Sequence, residues 1–326
     1  MKIQIYAMIM LMFAACSGKT STDTSSGDRP SKTVRPEFNA DSAYAYVARQ
    51  VAFGPRVPGT PQHRECARYI VDELARHGAD TVFTQTATVT THAGDVVPVC
   101  NIMARFNTSA PRRVLIAAHY DTRPWADNDP DENRRNQPIL GANDGASGVG
   151  VILEMARNIG AAHPEVGVDF LLTDVEDSGS SGEGNTETTW SLGTQYWADN
   201  TPYTSATRPA YGIVLDMVGG RDAKFHREYT SDRLARGIVD KVWGTAAKSP
   251  YADRFPNYIG GAIVDDHLYI NGAGIPCIDI VESANAVTGS FPPTWHTHDD
   301  NMDHIDVSTL KAVGETVMSV IYNEKN

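Results

Sequence analysis

The stretch SFPPTWHTHDDNMDHID, residues 290–306, sets His296, His298 and His304 among aspartates, with Trp295 directly before the first histidine. Imidazole nitrogens and carboxylate oxygens are the side-chain atoms that bind metal ions and carry protons. Three readings of the cluster are open. It is a private three-histidine metal site, a charged surface loop, or one ligand of a site whose other members lie elsewhere in the chain.

Other candidates end short apolar runs. VLIAAH (114–119) finishes at His119 and is followed by Asp121. VDFLLTD (168–174) finishes at Asp174, with Glu176 and Asp177 next. YGIVLDMV (211–218) carries Asp216 near its end, and IPCIDIVES (275–283) leads towards the histidine cluster. Asp144, in GANDGASGVGVILEMAR, follows a polar loop (122–138) that contains Trp125, and it precedes a helical pattern. It reads either as a helix N-cap, a role aspartate performs well, or as a metal ligand. An acid in an apolar run is costly unless paired or metal-bound, so several converging acids call for a cation. His119, Asp144, Glu176, Asp177, Asp216 and His296 together suit zinc, which takes histidine nitrogen and carboxylate oxygen. Adjacent acids such as Glu176 and Asp177 can divide the work, one on the metal and one facing substrate.

The elements that must position these groups alternate along the chain. Helical periodicity covers 62–77, about 145–160, 231–247 and 308–322. The four apolar runs between them are too apolar for strands with one wet face, which predicts a sheet covered by helices on both faces. The expected fold class is α/β, a single domain with a mixed, mostly parallel central sheet. Ligands in such sheets bind beyond the carboxyl ends of the strands, where the acids and histidines fall. The loop 178–190, SGSSGEGNTETTW, reads either as a mobile pocket wall ending at Trp190 or as an ordinary flexible excursion.

The start of the chain predicts a different kind of segment. MKIQIYAMIMLMFAAC has an early Lys2, an apolar run and small residues before Cys16. It reads as a secretory signal over 1–15, with Cys16 as a lipidated first residue. Residues 16–36 are Ser/Thr-rich and read as a tether, which leaves 37–326 as the catalytic domain. These expectations place the protein at a bacterial cell envelope as a periplasm-facing lipoprotein, touching membrane only through its anchor. A net charge of −12 argues against nucleic acid as a partner. Cys66, Cys100 and Cys277 allow one disulfide, and a monomer is favoured.

The segments QVAFGPRVPGTPQHRECARYIVDEL, HYDT, GANDGASGV, DVED, WSLGTQYWA, LDMVGG, DDH and FPPTWHTHDD resemble the animal-type glutaminyl-peptide cyclotransferases, which share the fold of the zinc aminopeptidases. The resemblance runs from about residue 38 to the end. It implies one zinc ion per chain held by Asp144, Asp177 and His296, with Glu176 as general acid/base. It also implies an acidic network of Asp216 and Asp265, and a substrate pocket lined by Trp295, Phe291 and Trp190. Many relatives have glutamate where this chain has Asp177. His298 and His304 then fall on a charged loop, Asp299 and Asp300 orient His296 or its loop, and His267 stands behind the site. The implied reaction closes the N-terminal glutamine of peptides and proteins to pyroglutamate with loss of ammonia. The alternative is a two-zinc aminopeptidase, since His119 and Asp216, with Asp144 bridging, would serve a second metal. A binding-only relative is the third reading. The indole in FPPTWH favours cyclisation.

Overall fold

The computed structural model describes residues 34–181 and 186–326. The expected signal segment and nearly all of the expected tether lie outside the described residues, and no described helix is long and apolar enough to cross a membrane.

Six strands form one sheet in the order β1 (Thr81–Thr90), β2 (Val96–Phe106), β4 (Gly167–Thr173), β3 (Arg113–His119), β5 (Gly212–Leu215) and β6 (Cys277–Ile280). The four strands foreseen as apolar runs pair in parallel, while β1 and β2 add an antiparallel hairpin at one edge. Side chains of the parallel strands alternate between two cores. Val114, Ile116 and Ala118 of β3 join one, and Leu115 and Ala117 join the other. A strand buried on both faces has few polar positions to spare, which is why these segments read as largely apolar runs broken only by acids such as Asp169 and Asp279.

Helices α1 (Ala40–Val51), α3 (Ala146–Ala161) and α8 (Val307–Asn323) pack together on one side of the sheet. Helices α4 (Leu192–Asp199) and α7 (Asp266–Gly272) pack on the other. Helix α2 (Pro61–Arg76) starts where foreseen, with Thr60 accepting from the His63 N–H (3.3 Å) and Pro61 in the first turn. The periodicity over 231–247 is divided in the structure. It yields α5 (Tyr229–Leu234) and α6 (Arg236–Ala246), because Ala235 leaves helical geometry at ψ 38°. Gly148 lets α3 press onto the sheet, since a Cβ there would meet the Leu215 carbonyl oxygen at 2.1 Å. Cys66, Cys100 and Cys277 are free thiols, so the disulfide these three allowed is not formed among them.

Candidate metal centre and pocket

The carboxyl ends of β3, β4 and β5 deliver His119, the Asp174–Asp177 turn and Asp216 to one rim, and the loop after β6 brings His296 to it. The backbone bends sharply to do so. Val175, Ser191, Met217 and His296 all take positive φ, between 48° and 58°, in a region few non-glycine residues enter. Such conformations cost about 1–3 kcal/mol each and persist where packing over-determines them.

Buried aspartates pin these turns. Asp121 accepts from the Glu176 and Asp177 N–H groups (3.1 and 3.2 Å). Asp300 accepts from those of Asn143 and Asp144 (2.7 and 3.1 Å). Asp300 therefore holds the Asp144 turn instead of orienting His296. Asp144 does not cap α3 either, because Gly145 stands at that position and makes no side-chain cap. Freed from capping, the Asp144 carboxylate faces the histidines.

Asp144, Asp177 and His296 each present one ligand atom, all within 4.8 Å of one another. His296 Nε2 lies 3.1 Å from Asp177 Oδ1 and 3.7 Å from Asp144 Oδ2. A tetrahedral zinc with bonds of ~2.0–2.2 Å needs ligand atoms roughly 3.3–3.6 Å apart, so the set fits. Asp177 Oδ2 is buried and has no hydrogen-bond partner among the described residues, as expected of an oxygen kept for an ion. A second triplet, His119, Asp144 and Asp216, shares Asp144 with the first. There His119 Nε2 is 3.0 Å from Asp144 Oδ1 and 3.3 Å from Asp216 Oδ1.

A cavity of about 240 Å³ opens onto this cluster. Asp144, Glu176, Asp177, Asp216, Asp265 and His296 provide its polar surface, and Trp190, Ile263, Val264, Phe291 and Trp295 its apolar walls. Two indoles stack with the His296 ring, Trp295 at 3.7 Å between centroids and Trp190 at 6.1 Å. Phe291 packs on Trp295 at 4.4 Å. All three aromatic residues foreseen for the pocket thus line it.

Electrostatics separate the acids. Burial drives the Glu176 carboxyl well above its ordinary range, and Asp265 and Asp177 push it further up against the pull of His119. Burial and then Asp216 raise Asp265 to about 7, and burial raises Asp216 to about 6. Burial also works on Asp144, yet its contact with His119 brings it below the usual value. Glu176 accepts a hydrogen bond from Ser191 Oγ (3.1 Å), and one oxygen of Asp265 has no partner among the described residues.

Several groups here were invisible to sequence reasoning. Asp127, not Asp299, stands behind His296, with Oδ1 3.1 Å from Nδ1 in a contact bent away from ideal hydrogen-bond geometry. Arg123 grips Asp127 with two bonds (2.8 and 2.6 Å) and reaches Asp177. A doubled arginine–carboxylate contact cannot be seen in a loop without periodicity, although the four-residue spacing of HYDTRPWAD was a weak signal. On its charged loop His298 pairs with Asp129 Oδ2 at 2.6 Å, and His63 pairs with Asp174 at 2.8 Å. His304 ends a 3-10 turn away from the triplets. His267 sits fully buried beside Glu228 (3.3 Å) and Asp279 (3.8 Å).

Comparison with known proteins agrees with this geometry. A crystal structure of Bacteroides thetaiotaomicron glutaminyl cyclase bound to N-acetylhistamine is 48% identical, covers 90% of this chain and 100% of its own, and superposes with a TM-score of 0.86. A structure described as a leucine aminopeptidase precursor from Bacteroides thetaiotaomicron is 47% identical over 90% of this chain and all of its own, with a TM-score of 0.85. The glutaminyl-peptide cyclotransferase of Bos taurus is 24% identical over 288 residues, 78% of this chain and 74% of that protein. A model of Peptidase family M28 matches residues 101–321, well over half of the sequence, and the chain belongs to that family.

Proposed function

We propose that this protein is a glutaminyl-peptide cyclotransferase, converting N-terminal glutamine of peptides and proteins to pyroglutamate and ammonia. The observation that carries the reading is the pocket: a buried Glu176 beside the Asp144–Asp177–His296 triplet, in a cavity walled by two indoles and a phenyl ring. At about 240 Å³ it lies below the ~300–1,000 Å³ of drug-sized ligand sites and suits a single terminal residue. Relatives named as glutaminyl cyclases in bacteria and in cattle support the same conclusion.

Asp144, Asp177 and His296 would hold one zinc ion per chain. When bound, zinc would supply Lewis-acid polarisation of the substrate's side-chain amide carbonyl. The chain's own groups do the rest. Trp190, Phe291 and Trp295 fold the glutamine side chain back on itself and exclude water, bringing the α-amine within reach of the amide carbon. Glu176 takes a proton from the attacking amine and returns it to the amide nitrogen as the carbon–nitrogen bond breaks and ammonia leaves. Burial and its acidic neighbours raise its pKa, which suits a group that must both accept and donate a proton. Asp265, on the pocket wall, would meet the departing nitrogen, and Asp216 would keep negative charge near the substrate's amine.

The His119–Asp144–Asp216 triplet favours one other reading, a two-metal aminopeptidase using a metal-activated water. Incubating the protein with a glutamine-initiated dipeptide separates the two. Ammonia without free amino acids supports cyclisation, and free amino acids would overturn it. The envelope location and lipid anchor that we propose rest on the sequence of residues 1–36 alone.

A further inference from the structure

Arg123 stands where three loops of the site meet, and no step of the proposed reaction uses it. Its side chain is 1% exposed. Nε and Nη2 donate to the two oxygens of Asp127 at 2.8 and 2.6 Å, a fork matched to a carboxylate. Nη1 donates to the carbonyls of Asp177 (3.1 Å) and Gly179 (3.2 Å) and reaches Asp177 Oδ1 at 3.4 Å. The guanidinium also lies over two indoles, with the ring centroids of Trp125 and Trp190 4.7 and 5.0 Å from Cζ. Gly179 is what admits the second indole, since a Cβ there would meet Trp190 Cδ2 at 2.1 Å.

We propose that Arg123 is a positioning residue that couples the metal-ligand triplet to the indole wall of the pocket. One cation fixes Asp177 directly, His296 through Asp127, and Trp190 by stacking, and Trp190 lies in turn against the His296 ring. Without it, Asp127 and Asp177 would place two negative charges around one imidazole with nothing between them. Lysine could supply the charge. A compact ammonium cannot fork onto Asp127, reach two carbonyls and offer flat faces to two indoles. The inference rests on the metal reading proposed above.

The test is the zinc dissociation constant of the full chain, measured by competition with a chromophoric chelator, beside the melting temperature of the metal-free protein. R123K is expected to bind zinc about ten- to a hundredfold more weakly, as outer partners of metal ligands do when altered. It should also raise KM for a glutamine-initiated dipeptide. W190S, which keeps Asp127 and all three ligands, should weaken zinc several-fold, while W190F, which keeps a flat face, should not. Wild-type zinc affinity in R123K would overturn the proposal. If R123K does not fold, equal zinc affinity in W190S and W190F would overturn it. A wild-type protein that binds zinc but releases no ammonia would sink the cyclase reading, and the zinc comparison would still decide the role of Arg123.

Discussion

Asp169 and Asp177 lie on the same stretch of chain and are both shut off from solvent, yet their surroundings are opposite. Asp169, inside β4, accepts from Arg113 Nε at 3.1 Å on each oxygen, from Arg113 Nη2, and from the Tyr203 hydroxyl at 2.7 Å. Arg113 spends its remaining donors on the carbonyls of Phe106 and Asn107. Beyond the end of the strand, Asp177 shares one oxygen between His296 and Arg123 and leaves the other without a donor among the described residues. A buried charge whose partners are complete belongs to the fold. One that keeps a lone pair unmet, in a cavity, is set for a ligand from outside the chain. Asp265 stands between the two cases, on the pocket wall and also grouped with the buried His267 and Asp279.

This contrast can be tested from either side. Glu176→Gln should have the largest effect, lowering kcat by about 10²–10⁴-fold, the usual contribution of a general acid/base, with zinc content unchanged. Near-full turnover would remove Glu176 from the role. Asp169→Ala leaves Arg113 buried and unpaired, and should destabilise the protein by about 3–5 kcal/mol in denaturant titration. Zinc bound per folded chain should not change. Asp177→Asn should do the reverse, losing zinc while stability of the metal-free protein holds. If the two variants behaved alike, the distinction between structural and functional acids would fail.

The smallest expected effect concerns pH. Asp265 is raised from the ordinary value of 3.8 to about 7, so the folded, metal-free protein holds a proton that the unfolded chain releases earlier. Its contribution to stability is complete below about pH 4 and is lost as pH rises through 7. Asp265→Asn should flatten that part of the stability–pH profile and raise the melting temperature of the metal-free protein at pH 8 by a few degrees. A profile unchanged by the substitution would mean that Asp265 is not held protonated.

The parallel strands were legible because burial on both faces writes itself as an apolar run. The β1–β2 hairpin was not, because TVFTQTATVT sits at the sheet edge with one face largely in water and carries threonine where a core strand carries valine or leucine. Helices α4 and α7, of 8 and 7 residues, are too short for periodicity to show. The acid-bearing strand ends could be read from the sequence, since a carboxylate after an apolar run is an anomaly in itself. The choice of Asp144, Asp177 and His296 among them came from resemblance, and the structure brings those three together. What Arg123, Asp127 and Asp300 do was not legible, because it runs through contacts between segments distant in the chain, Arg123 to Asp177, Asp127 to His296 and Asp300 to Asn143, which no local pattern encodes.

Anomalous diffraction at the zinc edge from crystals of the zinc-loaded protein decides whether Asp144, Asp177 and His296 hold the metal. A single strong peak is expected at ~2.0–2.2 Å from His296 Nε2 and from one oxygen each of Asp144 and Asp177. Two peaks of equal height bridged by Asp144, or a lone peak between His119 and Asp216, would contradict that expectation.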